Sequence, residues 1–179
     1  MPIETLTRLV PPPARPTEVG TPEQWRDIEK RLGTKLPNDY REFVFAYGSG
    51  LFARFYRVYN PFAASESIAL LPQVRTVCEI ERGFKESYPE RVPYPIFPEP
   101  GGVLPWGNDE NGNYYFWVTK GEPDEWTVAE NEVRGHGYRR HPYSMTDFLT
   151  HVLQGKIQAL ASDYPEKQDR VFDSWAPVD

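Results

Sequence analysis

Apolar residues recur at helical spacing in four stretches of this chain and alternate through a fifth. Trp25, Ile28 and Leu32 share one face of a helix that opens at Thr21. Thr21-Pro22-Glu23-Gln24 is a capping box with Pro at the first helical position, and Gly33 supplies a left-handed stop. Tyr40, Phe43, Val44 and Tyr47 line a second helix, from about Pro37 to Tyr47, which Gly48 ends. A third, from Pro72 to about Glu86, places Val74, Val77, Cys78, Glu81 and Phe84 on a broad face. The last opens at Ser144, which forms a capping box with Asp147. It aligns Met145, Phe148, Leu149, Val152 and Leu153, and Gly155 closes it.

Between these helices the period falls to two. Leu51–Tyr59 is rich in strand formers, but Arg54 and Arg57 have opposite parity, so a bulge or two short strands is expected. Pro93, Pro95, Pro98 and Pro100 make an irregular connector. Val103–Trp106 reads as a strand interrupted by Pro105. Asn111-Gly112 predicts a type I′ turn, Tyr114–Thr119 a strand, Lys120–Asp124 a turn and Trp126–Ala129 a third strand. Helices, then strands, then a helix is the α+β pattern. The first 20 residues, with Pro11-Pro12-Pro13 and Pro16, read as an extended polyproline arm. Residues 21–158 form the domain. Residues 159–179 form a polar tail whose Val171, Phe172 and Trp175 predict packing on it.

Composition narrows the classes. A length of 179 residues with 39% hydrophobic side chains suits one domain with a full core. The single cysteine, Cys78, forms no internal disulfide. At its helical spacing it reads as a small core residue in a reducing compartment. The start lacks a secretory signal pattern and no apolar run reaches bilayer length, so the expectation is a cytoplasmic protein without membrane contact. The net charge of -6 disfavours nucleic acid.

The candidate chemistry is sparse. His136, His141 and His151 fit no zinc spacing and read as surface residues, and Arg139-Arg140-His141 as a solvated loop. Gly48-Ser49-Gly50 leaves a helix rather than entering one, so it is a stop and turn rather than a nucleophile elbow. In an EF-hand register, Gly112 at the sixth position puts Gly107 first and Val118 last, where oxygen ligands are required, so an EF-hand is excluded and a weak incidental cation site stays open. No catalytic residue, metal ligand or cofactor is assigned.

Charge is concentrated instead. From Leu104 to Arg134, seven acids against two bases leave five negative charges, nearly the whole excess. The same stretch holds Trp106, Tyr114, Tyr115, Phe116, Trp117 and Trp126. Aromatic anchors beside carboxylates suit protein recognition. The expected partner-binding residues are Trp106 and Tyr114 as anchors, with Asp109, Glu110, Asp124 and Glu125 steering a basic protein.

The stretch Glu29-Lys30-Arg31-Leu32-Gly33-Thr34-Lys35-Leu36-Pro37-Asn38-Asp39-Tyr40-Arg41-Glu42-Phe43, followed by Gly48-Ser49-Gly50, resembles the opening signature of the SUKH superfamily, which includes the fungal Smi/Knr cell-wall regulators. Leu104-Pro105-Trp106-Gly107-Asn108-Asp109 with Gly112-Asn113-Tyr114 is similar to its second block, and Tyr143–Leu149 to its closing helix. The resemblance implies a twisted antiparallel sheet flanked by helices, with no cofactor and no catalytic residues. Many bacterial members are immunity proteins that bind and neutralise polymorphic or contact-dependent toxin domains, often nucleases. Others are regulators or adaptors. Asn113 stands where the family commonly has an acid, and the Pro-rich arm and aromatic tail are additions. The expectation is therefore a monomeric, non-catalytic binder of a basic, nuclease-like toxin domain.

Overall fold

The computed structural model describes residues 3–132, 137–160 and 165–175. Among these, five α-helices and seven strands form one α+β unit: α1 Ile3–Leu9, α2 Pro22–Leu32, α3 Asn38–Tyr47, β1 Gly50–Phe52, β2 Tyr56–Val58, α4 Leu70–Ser87, β3 Val103–Asp109, β4 Tyr114–Val118, β5 Thr127–Glu132, β6 Gly137–His141, α5 Met145–Leu153 and β7 Phe172–Ser174. The strands make one antiparallel sheet in the order β6-β5-β4-β3-β2-β1-β7.

The local signals explain the helix ends. Thr21 Oγ1 accepts from the Gln24 N–H and Gln24 Oε1 accepts from the Thr21 N–H, closing the capping box of α2. Gly33 ends that helix at φ 83°. Ser144 Oγ accepts from the Asp147 N–H at the start of α5. Gly48, at φ 69°, ends α3 where the 11–20 segment crosses. A Cβ there would stand 2.0 Å from the Thr17 carbonyl oxygen. The glycine is needed both for the left-handed turn and for this close approach.

Helices cover both faces of the sheet. On one face, α3 sets Tyr40 edge-on to Trp117, and α5 sets Phe148 against Trp106, Tyr115 and His141. On the other, Glu81 of α4 meets Asn131 of β5 and Tyr138 of β6, beside Phe116. Alternation along β3 and β4 therefore chooses between two interiors, not between core and water. Trp106, Tyr115, Phe116 and Trp117 have no exposed surface.

Several expectations change. The first half of the Pro-rich arm is the helix α1, with Leu6 and Val10 fully buried and the Tyr47 hydroxyl donating to the Val10 carbonyl. Ile3, Leu6 and Val10 carry the helical spacing. The Asn111-Gly112 turn is not type I′, because only Gly112 takes positive φ, at 85°. The Gly112 N–H donates to the Asp109 carbonyl and the Asp109 N–H to the Asn113 carbonyl, giving a three-residue connection with glycine in the left-handed position. Arg139-Arg140-His141 is not a loop but the end of the edge strand β6, whose exposed arginines discourage pairing with a further chain. Phe84 faces water at 38% exposure rather than joining the buried face of α4. Leu51–Tyr59 does split into two short strands, with Ala53 and Arg54 at positive φ between them. Cys78 is buried, and desolvation pushes its thiol up to about 11, which keeps it protonated and unreactive. In the tail, β7 pairs with β1, and Phe172 packs on Tyr47.

Candidate functional site

The six expected partner-binding residues do not form one surface. Trp106 is fully enclosed. The register shift between Pro105 and Gly107 delivers it to the face shared with Tyr115 and α5, so it cannot serve as a surface anchor. Asp109 is 1% exposed. Its carboxylate accepts from the N–H groups of Asn111 and Asn113, the Asn113 side-chain amide and the Tyr115 hydroxyl, all at 2.7–2.9 Å. It is the hub of the hairpin turn, not a steering charge. Tyr114 is half-buried on the side of the sheet that α4 covers, next to Phe116. Glu110 is exposed and pairs with Arg57 of the neighbouring strand β2.

Asp124 and Glu125 lie at the other end of β4. That strand has five residues, so the two ends are about 15 Å apart. Both carboxylates accept hydrogen bonds within the fold while staying exposed. Asp124 accepts from the Asn38 N–H at 2.7 Å and from the Asn38 side-chain amide at 2.6 Å. Pro37, the N-cap of α3, provides no side-chain cap, and Asp124 fills that role from 86 residues away. Glu125 accepts from the Glu122 N–H. A similar long-range cap joins Asp39 to the N–H and hydroxyl of Thr146 at the start of α5.

This docking of the acidic turn onto α3 creates a surface that the alternating strands did not announce. Asn38, Glu42 and Phe45 occupy one side of α3, three and four residues apart, and all are exposed. Phe45 is 72% exposed, the most exposed large apolar side chain among the described residues. It borders a mainly apolar groove of about 480 Å³ walled by Ile3, Pro22, Trp25 and Ala46, with Arg41 and Glu42 as its charged members. Glu122, Asp124 and Glu125 stand at the Asn38 end, about 10 Å along the helix from Phe45. The clue in the sequence was Phe45 itself, a large aromatic off the apolar stripe of its helix.

The remaining buried charges are structural. Glu130 has no exposed surface. Its Oε1 accepts from the Leu160 N–H and lies 2.9 Å from His141 Nε2, with Arg139 at 3.9 Å. His141 is therefore an interior partner and not a surface residue. His151 is half-buried, with its ring against Tyr143, and His136 lies outside the described residues. Among the described residues no group of three His, Cys, Asp or Glu side chains is placed to hold a metal ion, and no helix is long and apolar enough to cross a membrane.

Glu81 is 3% exposed beneath α4, where it accepts from Asn131 Nδ2 at 3.0 Å and from the Tyr138 hydroxyl at 2.7 Å. Desolvation raises its pKa, and the two hydrogen bonds only partly oppose that. The folded state then binds the proton more tightly than the unfolded chain. Stability falls as pH rises from the ordinary glutamate value, about 4.3, through the raised folded value. Glu81→Gln keeps one acceptor for Asn131 and offers a donor to the Tyr138 oxygen. Its expected outcome is a higher melting temperature than the parent at neutral pH and an equal one at pH about 3. Thermal scans across pH check this. An unchanged gap at all pH values would remove the titration argument.

Compared with known proteins, the chain matches the SUKH_6 family model, described as SMI1-KNR4 cell-wall, over residues 22–149. No curated protein matches it significantly. The matched span runs from the start of α2 to the middle of α5 and includes both long-range caps, the hairpin turn and the exposed side of α3. The chain belongs to the SUKH superfamily, in the SUKH_6 family of SMI1-KNR4 proteins.

Proposed function

We propose that this protein is a non-catalytic immunity protein that neutralises a cognate toxin domain by direct binding. The observation that carries the reading is the outer side of α3: Phe45, 72% exposed over a mainly apolar groove that Glu42 also lines, with the exposed acidic turn at residues 122–125 docked through Asp124 on Asn38 at the start of the helix. An aromatic anchor seats in a partner's pocket, and flanking carboxylates speed its approach and fix its register. The complementary partner is basic there, as the substrate-binding side of a nuclease is. Family membership and the structural use of the buried carboxylates support the same reading.

Association with the product of any toxin reading frame found beside the gene is the direct test. The on-rate is expected to fall by roughly tenfold or more as ionic strength rises from about 0.01 to 1 M, where the screening length shrinks from about 30 to 3 Å. Stopped-flow mixing measures it. An on-rate indifferent to salt would sink the charge-steered interface. The family description favours a second reading, a regulatory adaptor in cell-wall or signalling control. That reading predicts several partners and no toxin reading frame next to the gene.

A further inference from the structure

The chain has 26 acids and 20 bases, yet one groove is charged by arginine alone. It runs between the end of α2, the flank of α4 and the Phe97-Pro98 segment, with a volume of about 320 Å³. Arg31, Arg75 and Arg82 line it, over apolar walls that include Leu32, Val74 and Phe97, and no carboxylate among the described residues lines it. Arg75 and Arg82 are seven apart on α4, two turns of one side of the helix. Arg82 is held in place by donating to the Phe97 carbonyl at 2.6 Å, which leaves most of its five donors free. Arg31 has only a loose, exposed pair with Asp27 at 3.7 Å. No ion pair or hydrogen bond ties the Arg75 side chain to another described residue.

Three like charges around one groove repel each other, and an anion seated among them reverses that interaction. Guanidinium forks match the paired oxygens of carboxylate and phosphate. The apolar walls add contact area that a bare inorganic ion would leave unused, and the volume is that of a small-ligand site. We propose that this groove binds a small amphiphilic anion, a carboxylate or phosphate monoester with an apolar body. Its head lies between Arg75 and Arg31, and its body along Leu32, Val74 and Phe97. Cys78 also lines the groove, with its thiol kept protonated by burial. The groove shares no residue with the Phe45 groove, so the proposal stands apart from the toxin reading.

Calorimetric titration of the full chain with octyl phosphate and with octanoate tests it, with octanol and inorganic phosphate as controls carrying half of the chemistry each. At least one amphiphilic anion is expected to saturate a single site, at least about tenfold tighter than either control. Which of the two binds tighter assigns the head group. Arg75→Gln and Arg31→Gln, both on exposed side chains, are each expected to weaken it by about tenfold with melting temperature unchanged. Octanol binding as tightly as the anions, affinities unmoved by both substitutions, or no saturable binding of either anion would each overturn the proposal.

Discussion

Phe45→Ala is expected to weaken binding of the cognate partner by about two orders of magnitude while leaving the melting temperature nearly unchanged. The two halves of that result have one cause. Phe45 is 72% exposed in the free chain, so little of its apolar area contributes to folding. In a complex the whole ring would be removed from water, and anchors of this kind cost roughly 2–4 kcal/mol when truncated, about 30- to 800-fold in affinity. Glu122→Gln is the contrasting variant. Glu122 lies at the rim and is not the residue that caps α3, so its loss is expected to slow association modestly without changing stability. Calorimetry for affinity and scanning calorimetry for stability separate the two. If Phe45→Ala binds as tightly as the parent, the outer side of α3 is not the interface.

The route to Phe45 shows what was legible in the sequence. Most signals complete within a few residues were reliable, the Asn111-Gly112 turn type and the helix at Ile3–Leu9 being the exceptions. The capping box at Thr21, the left-handed stop at Gly33, the apolar stripes of α2, α3 and α5 and the split of Leu51–Tyr59 all depend on neighbours in the chain. The SUKH resemblance lies in the same local features, and it fixed the fold class. What depends on distant segments was not legible. Whether one face of a sheet is wet is decided by helices elsewhere, and here both faces are covered, which moved Trp106 from anchor to core. A strand as polar as β6 carries no alternation because it is an edge, and its fifth residue, His141, opposite Val128, is buried under Phe148 with Glu130 as its polar partner. The concentration of acids between Leu104 and Arg134 was real in sequence but not in space. Asp109 and Glu130 point inward, and Glu110 is separated from Asp124 by the length of β4.

Asp109 makes the sharpest separation between a charge that binds and a charge that builds. Asp109→Ala is expected to destabilise the fold by about 3 kcal/mol, because it strands four donors in a site that water barely reaches. For a chain of this size that corresponds to a melting temperature lower by about 6–12 °C. Asp109→Asn tests the cause more closely. It preserves shape and one acceptor, but turns an amide NH₂ toward a site where both the Asn113 amide and the Tyr115 hydroxyl donate. Reorienting the Tyr115 hydroxyl relieves part of that conflict, so this variant is expected to lose roughly half as much as the alanine. Well below the melting point, both variants are expected to bind the partner as the parent does, since the removed charge is only 1% exposed and already holds four internal donors. Thermal unfolding of both variants, with the association rate of each at about 10 °C, distinguishes the roles. A slower on-rate with an unchanged melting temperature would return Asp109 to the binding surface, and with it the hairpin turn that the fold assigns to architecture.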